Sequence, residues 1–233
     1  MANKLANTDV VEFYTNDQKS AYEKGQNKNY PNLSLVRLAS RYFGGEKGRV
    51  LDFGCGGGAN LLHLLKIGHK VNGVDTSPYS LKMVERMIGS FENLKKNAEL
   101  QVLDPNAERI PFEDETFDYV VCASVFSLLS TKERILEVLK EFKRVLKPDG
   151  KLFLDINGVN SEFAIYSEAL GDDLFIYKGR SGNNPPMQVV CFDSEEKLRE
   201  LVENVFVVDE TGITTHKFYE FAEEEYIACA RKV

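Results

Sequence analysis

The chain has 233 residues, 29 Lys and Arg against 36 Asp and Glu for a net charge of −7, and 43% hydrophobic residues. That is an ordinary globular composition long enough for one large α/β domain, and its acidic balance disfavours DNA or long RNA, which need a basic footprint. The cysteines Cys55, Cys122, Cys191 and Cys229 form no C-x-x-C pair, which argues against a metal or disulfide framework and for free thiols in a reducing compartment.

Residues 1–30 are polar but dotted with the aromatics Phe13, Tyr14, Tyr22 and Tyr30, a pattern suited to folding over a pocket or packing on a flank. The N-terminus has no apolar signal-peptide core. After Pro31, the spacing of Leu35, Leu38, Ala39 and Tyr42 predicts a helix ended by Gly44 and Gly45. Residues 50–60 then read as strand, glycine turn and helix. Val50 and Leu51 run into Asp52, glycines stand at 54, 56, 57 and 58, and a helical pattern starts at Asn60. Glycine serves where backbone takes positive φ or approaches a ligand, and a helix N-terminus beyond it offers unpaired N–H groups and a positive dipole end.

Leu61, Leu62, Leu64, Leu65 and Ile67 give that helix a wide apolar face, closed by Gly68. A short strand, Val71 to Asp75, ends in an acid, and Thr76-Ser77-Pro78 opens the next helix with Ser77 as its N-cap. Leu100 to Leu103 is a third strand, the loop Asp104 to Phe112 holds two prolines, and Phe117 to Cys122 is a buried fourth strand. Ser130 and Glu133 form a capping-box pattern before the amphipathic helix of Ile135, Val138, Leu139, Phe142, Val145 and Leu146. Lys147 to Gly150 turns into a fifth strand, Lys151 to Ile156. Such alternation predicts a parallel sheet covered on both faces.

The rhythm breaks from 157 to 192, a connection longer than such sheets usually carry and suited to building a binding site. A helix from Ser194 follows, then Val205 to Val208 and Tyr226 to Ala230, an expected antiparallel pair turning near Gly212. No run reaches the ~20 apolar residues of a membrane span, so the expectation is a cytoplasmic protein without a membrane partner.

Ligands of open α/β sheets sit beyond the strand C-termini. The glycine turn, Asp75, Asn106-Ala107-Glu108 and Cys122-Ala123-Ser124 all converge there. Asp75 lies about 20 residues past the glycines, the spacing of a ribose-binding acid. Gly54 to Ala59 also satisfies the dinucleotide pattern G-x-G-x-x-A, so an NAD(P)-dependent oxidoreductase is the competing reading. Asp52, aimed at the turn, would repel a pyrophosphate and better suits an amino-bearing ligand.

On these residues the chain resembles the class I S-adenosylmethionine-dependent methyltransferases of small-molecule type. The motifs are Val50 to Gly58, Gly73-Val74-Asp75, Asn106 to Phe112, Phe117 to Val121, and the helix ending Phe142 to Gly150. The resemblance implies a Rossmann-like α/β fold, a seven-stranded mostly parallel sheet of order 3-2-1-4-5-7-6 with strand 7 antiparallel and helices on both faces. It implies one domain over 1–233, with 1–45 as an N-terminal helical lid and 157–192 as an insertion capping the acceptor.

It further implies S-adenosylmethionine as cofactor, S-adenosylhomocysteine as product, and a small-molecule or glycan-like acceptor. Gly54, Cys55 and Gly56 would pass backbone near the methionine part with Asp52 behind them. Asp75 with the adjacent Thr76 would meet the ribose, and Asn106, Ala107 and Glu108 the adenine. Family members often carry Asp at position 106, and Asp104 stands as the alternative partner. Cys122 and Ser124 would line the methionine arm, and Tyr22 or Tyr30 would close over it. Methyl transfer is in-line displacement that needs alignment more than a base. Acceptor-side candidates are Ser127, Asp155, Asn157 and Tyr166. His63, His69 and His216 read as surface residues, and no metal site is expected. A non-catalytic protein that keeps the cofactor pocket is the alternative from another class.

Overall fold

The computed structural model describes residues 8–27, 30–43, 45–182, 184–218 and 221–233. Residues 1–7, 28, 29 and 44 of the expected lid, Gly44 among them, lie outside the described residues. Two helices, α1 (Thr8–Glu23) and α2 (Leu33–Tyr42), precede an alternating core: β1 (Arg49–Phe53), α3 (Ala59–Lys66), β2 (Lys70–Asp75), α4 (Pro78–Ile88), α5 (Glu92–Lys95), β3 (Ala98–Val102) and β4 (Phe117–Cys122). A 3₁₀ turn (Phe126–Leu129) leads to α6 (Lys132–Val145) and β5 (Leu146–Asn157). After α7 (Glu162–Ile165), β6 (Ser167–Gly171), β7 (Leu174–Tyr177) and β8 (Met187–Val190), the chain closes with α8 (Glu195–Glu203), β9 (Val207–Phe218) and β10 (Phe221–Arg231).

The main sheet has the order β3-β2-β1-β4-β5-β10-β9. β1 to β5 run parallel and β10 antiparallel to both neighbours, the predicted 3-2-1-4-5-7-6 arrangement. Alternating side chains fill both faces. Leu51, Phe53, Val120 and Cys122 join the layer under α6 and α8, whereas Val50, Tyr119 and Val121 join the one under α2, α3 and α4. Two buried faces explain why these strands read as near-continuous apolar runs.

Four details depart from the sequence reading. The 157–192 stretch is not irregular, because β6, β7 and β8 pair into a small antiparallel sheet. Gly212 is no turn; it lies within β9 opposite Ile227, and the strands meet further on, around positions 218 and 221. Thr131, not Ser130, caps α6 by accepting from the Arg134 N–H, while Ser130 takes a left-handed φ of 71°. His69 is buried, edge-on to Phe43 and Tyr119, with Nδ1 accepting from the Gly48 N–H at 3.2 Å.

Candidate functional site

At the C-terminal ends of β1, β2 and β4 lies a cavity of about 530 Å³, within the ~300–1,000 Å³ usual for small-molecule sites. Its floor is the glycine turn. The N–H groups of Gly54 and Cys55 both donate to the Val74 carbonyl, at 2.9 and 3.0 Å, which folds the chain back over β2. Gly54, Gly56 and Gly58 have φ of 72°, 50° and 87°. A Cβ on Gly54 would run into Val125, while at Gly56 it would meet nothing within 4 Å. The first glycine lets the β4 loop approach, and the second faces open space.

Two carboxylates sit behind this turn. Asp75 accepts from the Gly56 N–H through Oδ2 at 2.9 Å and from the Ser77 N–H through Oδ1 at 2.8 Å. It thereby braces both the turn and the chain entering α4, whose N-cap residue Ser77 makes no side-chain capping bond. Burial raises its pKa against the opposing pull of those N–H groups. Asp52 is buried, and its Oδ2 finds no partner among the described residues. Burial first, and then the Asp75 charge, push its carboxyl up to about 7. The same burial and acids hold the Cys55 thiol well above the usual range.

A buried carboxylate oxygen without a partner is costly and calls for a donor. A glycine cradle at a helix N-terminus beside it can take the ammonium and carboxylate of an amino-acid end, the carboxylate meeting the free N–H groups. The donor set therefore fits an amino-acid-bearing ligand. A pyrophosphate would face two acids.

Gly54, Cys55, Gly56, Asp75, Thr76, Ser124 and Tyr30 line the cavity. Asn106, Ala107, Glu108, Cys122 and Tyr22 do not. Asn106 and Glu108 are exposed, and Asp104 Oδ1 accepts the Asn106 N–H at 2.8 Å. Cys122 is in the core. Tyr22 packs on α4, 6.1 Å from the Tyr79 ring, with the Arg86 guanidinium 5.1 Å over it.

None of Ser127, Asp155, Asn157 and Tyr166 lines the cavity. The buried Ser127 Oγ accepts from the Asn157 backbone N–H at 2.9 Å and is 3.1 Å from its Nδ2. Asp155, also buried, accepts from the Ser124 N–H at 2.6 Å and from Asn32 Nδ2 at 3.1 Å. Tyr166 lies under the Arg180 guanidinium, 5.8 Å away.

Sequence reasoning missed three parts of this site. Tyr14, Gln18 and Val10 of α1 roof the cavity. Asn32 caps α2 by accepting from the Ser34 and Leu35 N–H groups, donates its own N–H to Asn60 at 2.8 Å, and reaches Asp155; an Asn just before an apolar helical stripe was its signal. Arg144 donates to the Ile110 and Phe112 carbonyls at 2.9 and 2.7 Å while Glu141 accepts the Ile110 N–H at 2.8 Å. This pair clamps the 104–112 loop to α6, and its i, i+3 spacing was visible.

Residues 51–154 match the family model described as a methyltransferase domain. YqeM of Bacillus subtilis (strain 168) is 34% identical over 131 residues, 56% of this chain and 49% of that protein. The demethylmenaquinone methyltransferase of the same organism is 34% identical over 112 residues, 46% and 44% of the two chains. The chain spans between 31% and 52% of the length of the first curated relatives it matches. A solved methyltransferase structure from Methanosarcina mazei superposes with a TM-score of 0.68 at 22% identity, covering 81% of this chain and 93% of that one. Residues 51–154 are thus similar to a methyltransferase domain, and they carry the glycine turn, Asp75 and the strand-four segment on which the class I S-adenosylmethionine-dependent resemblance rests. Among the described residues no helix is long and apolar enough to cross a membrane.

Proposed function

We propose that this protein transfers a methyl group from S-adenosylmethionine to a small-molecule acceptor and releases S-adenosylhomocysteine. The observation that carries the reading is the buried Asp52, with an oxygen lacking a partner, directly behind a glycine turn that opens into the cavity. When bound, the cofactor supplies an electrophilic methyl carbon on a sulfonium. In the transfer, the acceptor's lone pair forms the new bond to that carbon, the carbon–sulfur pair stays on sulfur, and the acceptor's proton leaves to water.

The chain's residues would align and enclose these partners. Gly54, Cys55 and Gly56 pass backbone along the amino-acid end, and Asp52 faces its ammonium through the turn. Asp75 and Thr76 hold the ribose. Asn106, Ala107 and Glu108 form the rim for adenine, with the Asp104 side chain spent on shaping that rim and the Asn106 amide left to meet the base. Ser124 lines the methionine arm, with Asp155 fixing its backbone. Ser127 and Asn157 support this corner from behind, and Cys122 and Tyr22 act through packing.

Residues 1–45 serve as the lid through α1 and Tyr30, and 157–192 as the outer cap. In support of the latter, Tyr177 and Glu162 act electrostatically on Tyr14. Alignment and exclusion of water account for such catalysis. The relative named for demethylmenaquinone supports a small-molecule acceptor, and a glycan-like acceptor finds no support. Calorimetric titration with S-adenosylmethionine, S-adenosylhomocysteine and NAD(P)H tests the reading. Binding of the first two is expected, and binding of the dinucleotide alone would overturn it.

A further inference from the structure

The roof of the cavity is one stripe of α1. Val10, Val11, Tyr14, Gln18 and Ala21 line it at i, i+1, i+4, i+8 and i+11, the spacing of a single helix face. On the same helix Glu12, Lys19 and Glu23 are exposed on the far side, while the exposed Asp17 flanks the stripe beside Val10. Leu128 and Leu129 of the 3₁₀ turn line the cavity too. Leu128 and Tyr177 pack against the same small cluster of Ala164, Val189 and Cys191, and Tyr177 acts on Tyr14, so Leu128 and Tyr14 share one end. That end follows β4, on the opposite side of β1 from Asp75 at the tip of β2.

We propose that the acceptor is an uncharged molecule whose apolar body lies between Val10, Val11, Leu128 and Leu129 and whose polar group is held by the Tyr14 hydroxyl. The proposal rests on the methyltransferase reading for the identity of the opposite end as the donor end. Asp75 is the one charged side chain among the described lining residues, and it stands at the donor end. An ionised acceptor would lose its hydration at the α1 end and meet apolar walls and neutral dipoles there, which penalises it. Burial, then Tyr177, Asp17 and Glu162, raise the Tyr14 pKa. The phenol therefore keeps its proton at neutral pH and donates a hydrogen bond. Glu162 is itself engaged by Arg180 at 2.8 Å and by the Tyr177 hydroxyl at 3.2 Å, so it holds the Tyr14 surroundings in place instead of serving as a counter-ion.

The test is binding of three matched probes, 2-naphthol, 2-naphthoate and 2-naphthylmethylammonium, near neutral pH, with and without saturating S-adenosylhomocysteine. The naphthol is expected to bind at least about tenfold more tightly than either ion. Tyr14→Phe should weaken naphthol binding about fivefold. Val11→Lys should shift the preference toward naphthoate. Equal or tighter binding of either ion, no binding of naphthol, or a Tyr14→Phe protein that binds it like the wild type would overturn the proposal. Failure of S-adenosylhomocysteine to bind, with the naphthol preference intact, would instead overturn the methyltransferase reading alone.

Discussion

Asp52 shares Val50's side of the sheet and stands opposite Gly73 in β2, where burial and Asp75 push its carboxyl from 3.8 up to about 7. A carboxyl whose folded pKa exceeds its unfolded value binds protons on folding, so its contribution is full below the unfolded pKa and is lost as pH rises through the folded one. Asp52→Asn should therefore raise stability at pH 8 by at most about 4 kcal/mol and lose that advantage near pH 4, read from denaturation midpoints across pH. The same variant should bind S-adenosylhomocysteine more weakly at pH 8, by about 1 kcal/mol; tighter binding would show that Asp52 does not face the ammonium. For Asp75→Ala we expect cofactor binding weaker by about 1.5–3 kcal/mol, the range for hydrogen bonds to a charged group, measured by calorimetry. Both acids were legible in the sequence because each stands at or next to the last residue of a strand beside a turn. Ser127 and Asp155 looked like acceptor-side groups from position alone, but the sequence could not show that their oxygens are already occupied by Asn157, Ser124 and Asn32.

At the scale of elements, α6 does more than cover the sheet. Arg144 reaches across to the carbonyls of Ile110 and Phe112 and is held by Glu141 at 2.7 Å, fixing the loop that follows β3. Arg144→Met keeps the apolar stem over the loop but takes the close guanidinium from Glu141, itself only 14% exposed, and leaves it the Ile110 N–H and the more distant Arg109. The expected cost is about 2–3 kcal/mol of stability, with faster amide exchange concentrated in residues 104–116; uniform exchange would remove the clamp. α1 shows where sequence reading stopped. Aromatics at 13, 14, 22 and 30 announced a packed segment, but only the sixteen-residue helix turns Tyr14 to the cavity and Tyr22 to α4. The small β6-β7-β8 sheet went unseen because its strands are only four or five residues long and pair with each other away from the main alternation.

In the whole molecule the cavity joins parts far apart in sequence, with α1 above, the glycine turn below and the β4 loop at the side. A ligand that binds only the folded state stabilises it by mass action, so S-adenosylhomocysteine at about 100 times its Kd should add about 2.7 kcal/mol, or about 5–10 °C in Tm for a chain of this size. It should also slow proteolysis between residues 24 and 32, the segment that links the roof to Asn32; cleavage at an unchanged rate would show that α1 does not close on the ligand. The sequence by itself determined the strand and helix alternation and the glycine turn with its two acids, because periodicity, glycine placement and strand ends are local signals; the sheet order came with the family resemblance that those motifs carry. Only the tertiary structure decided which helix face roofs the cavity and which polar groups are already paired, because those depend on contacts between residues 30 to 123 positions apart in sequence.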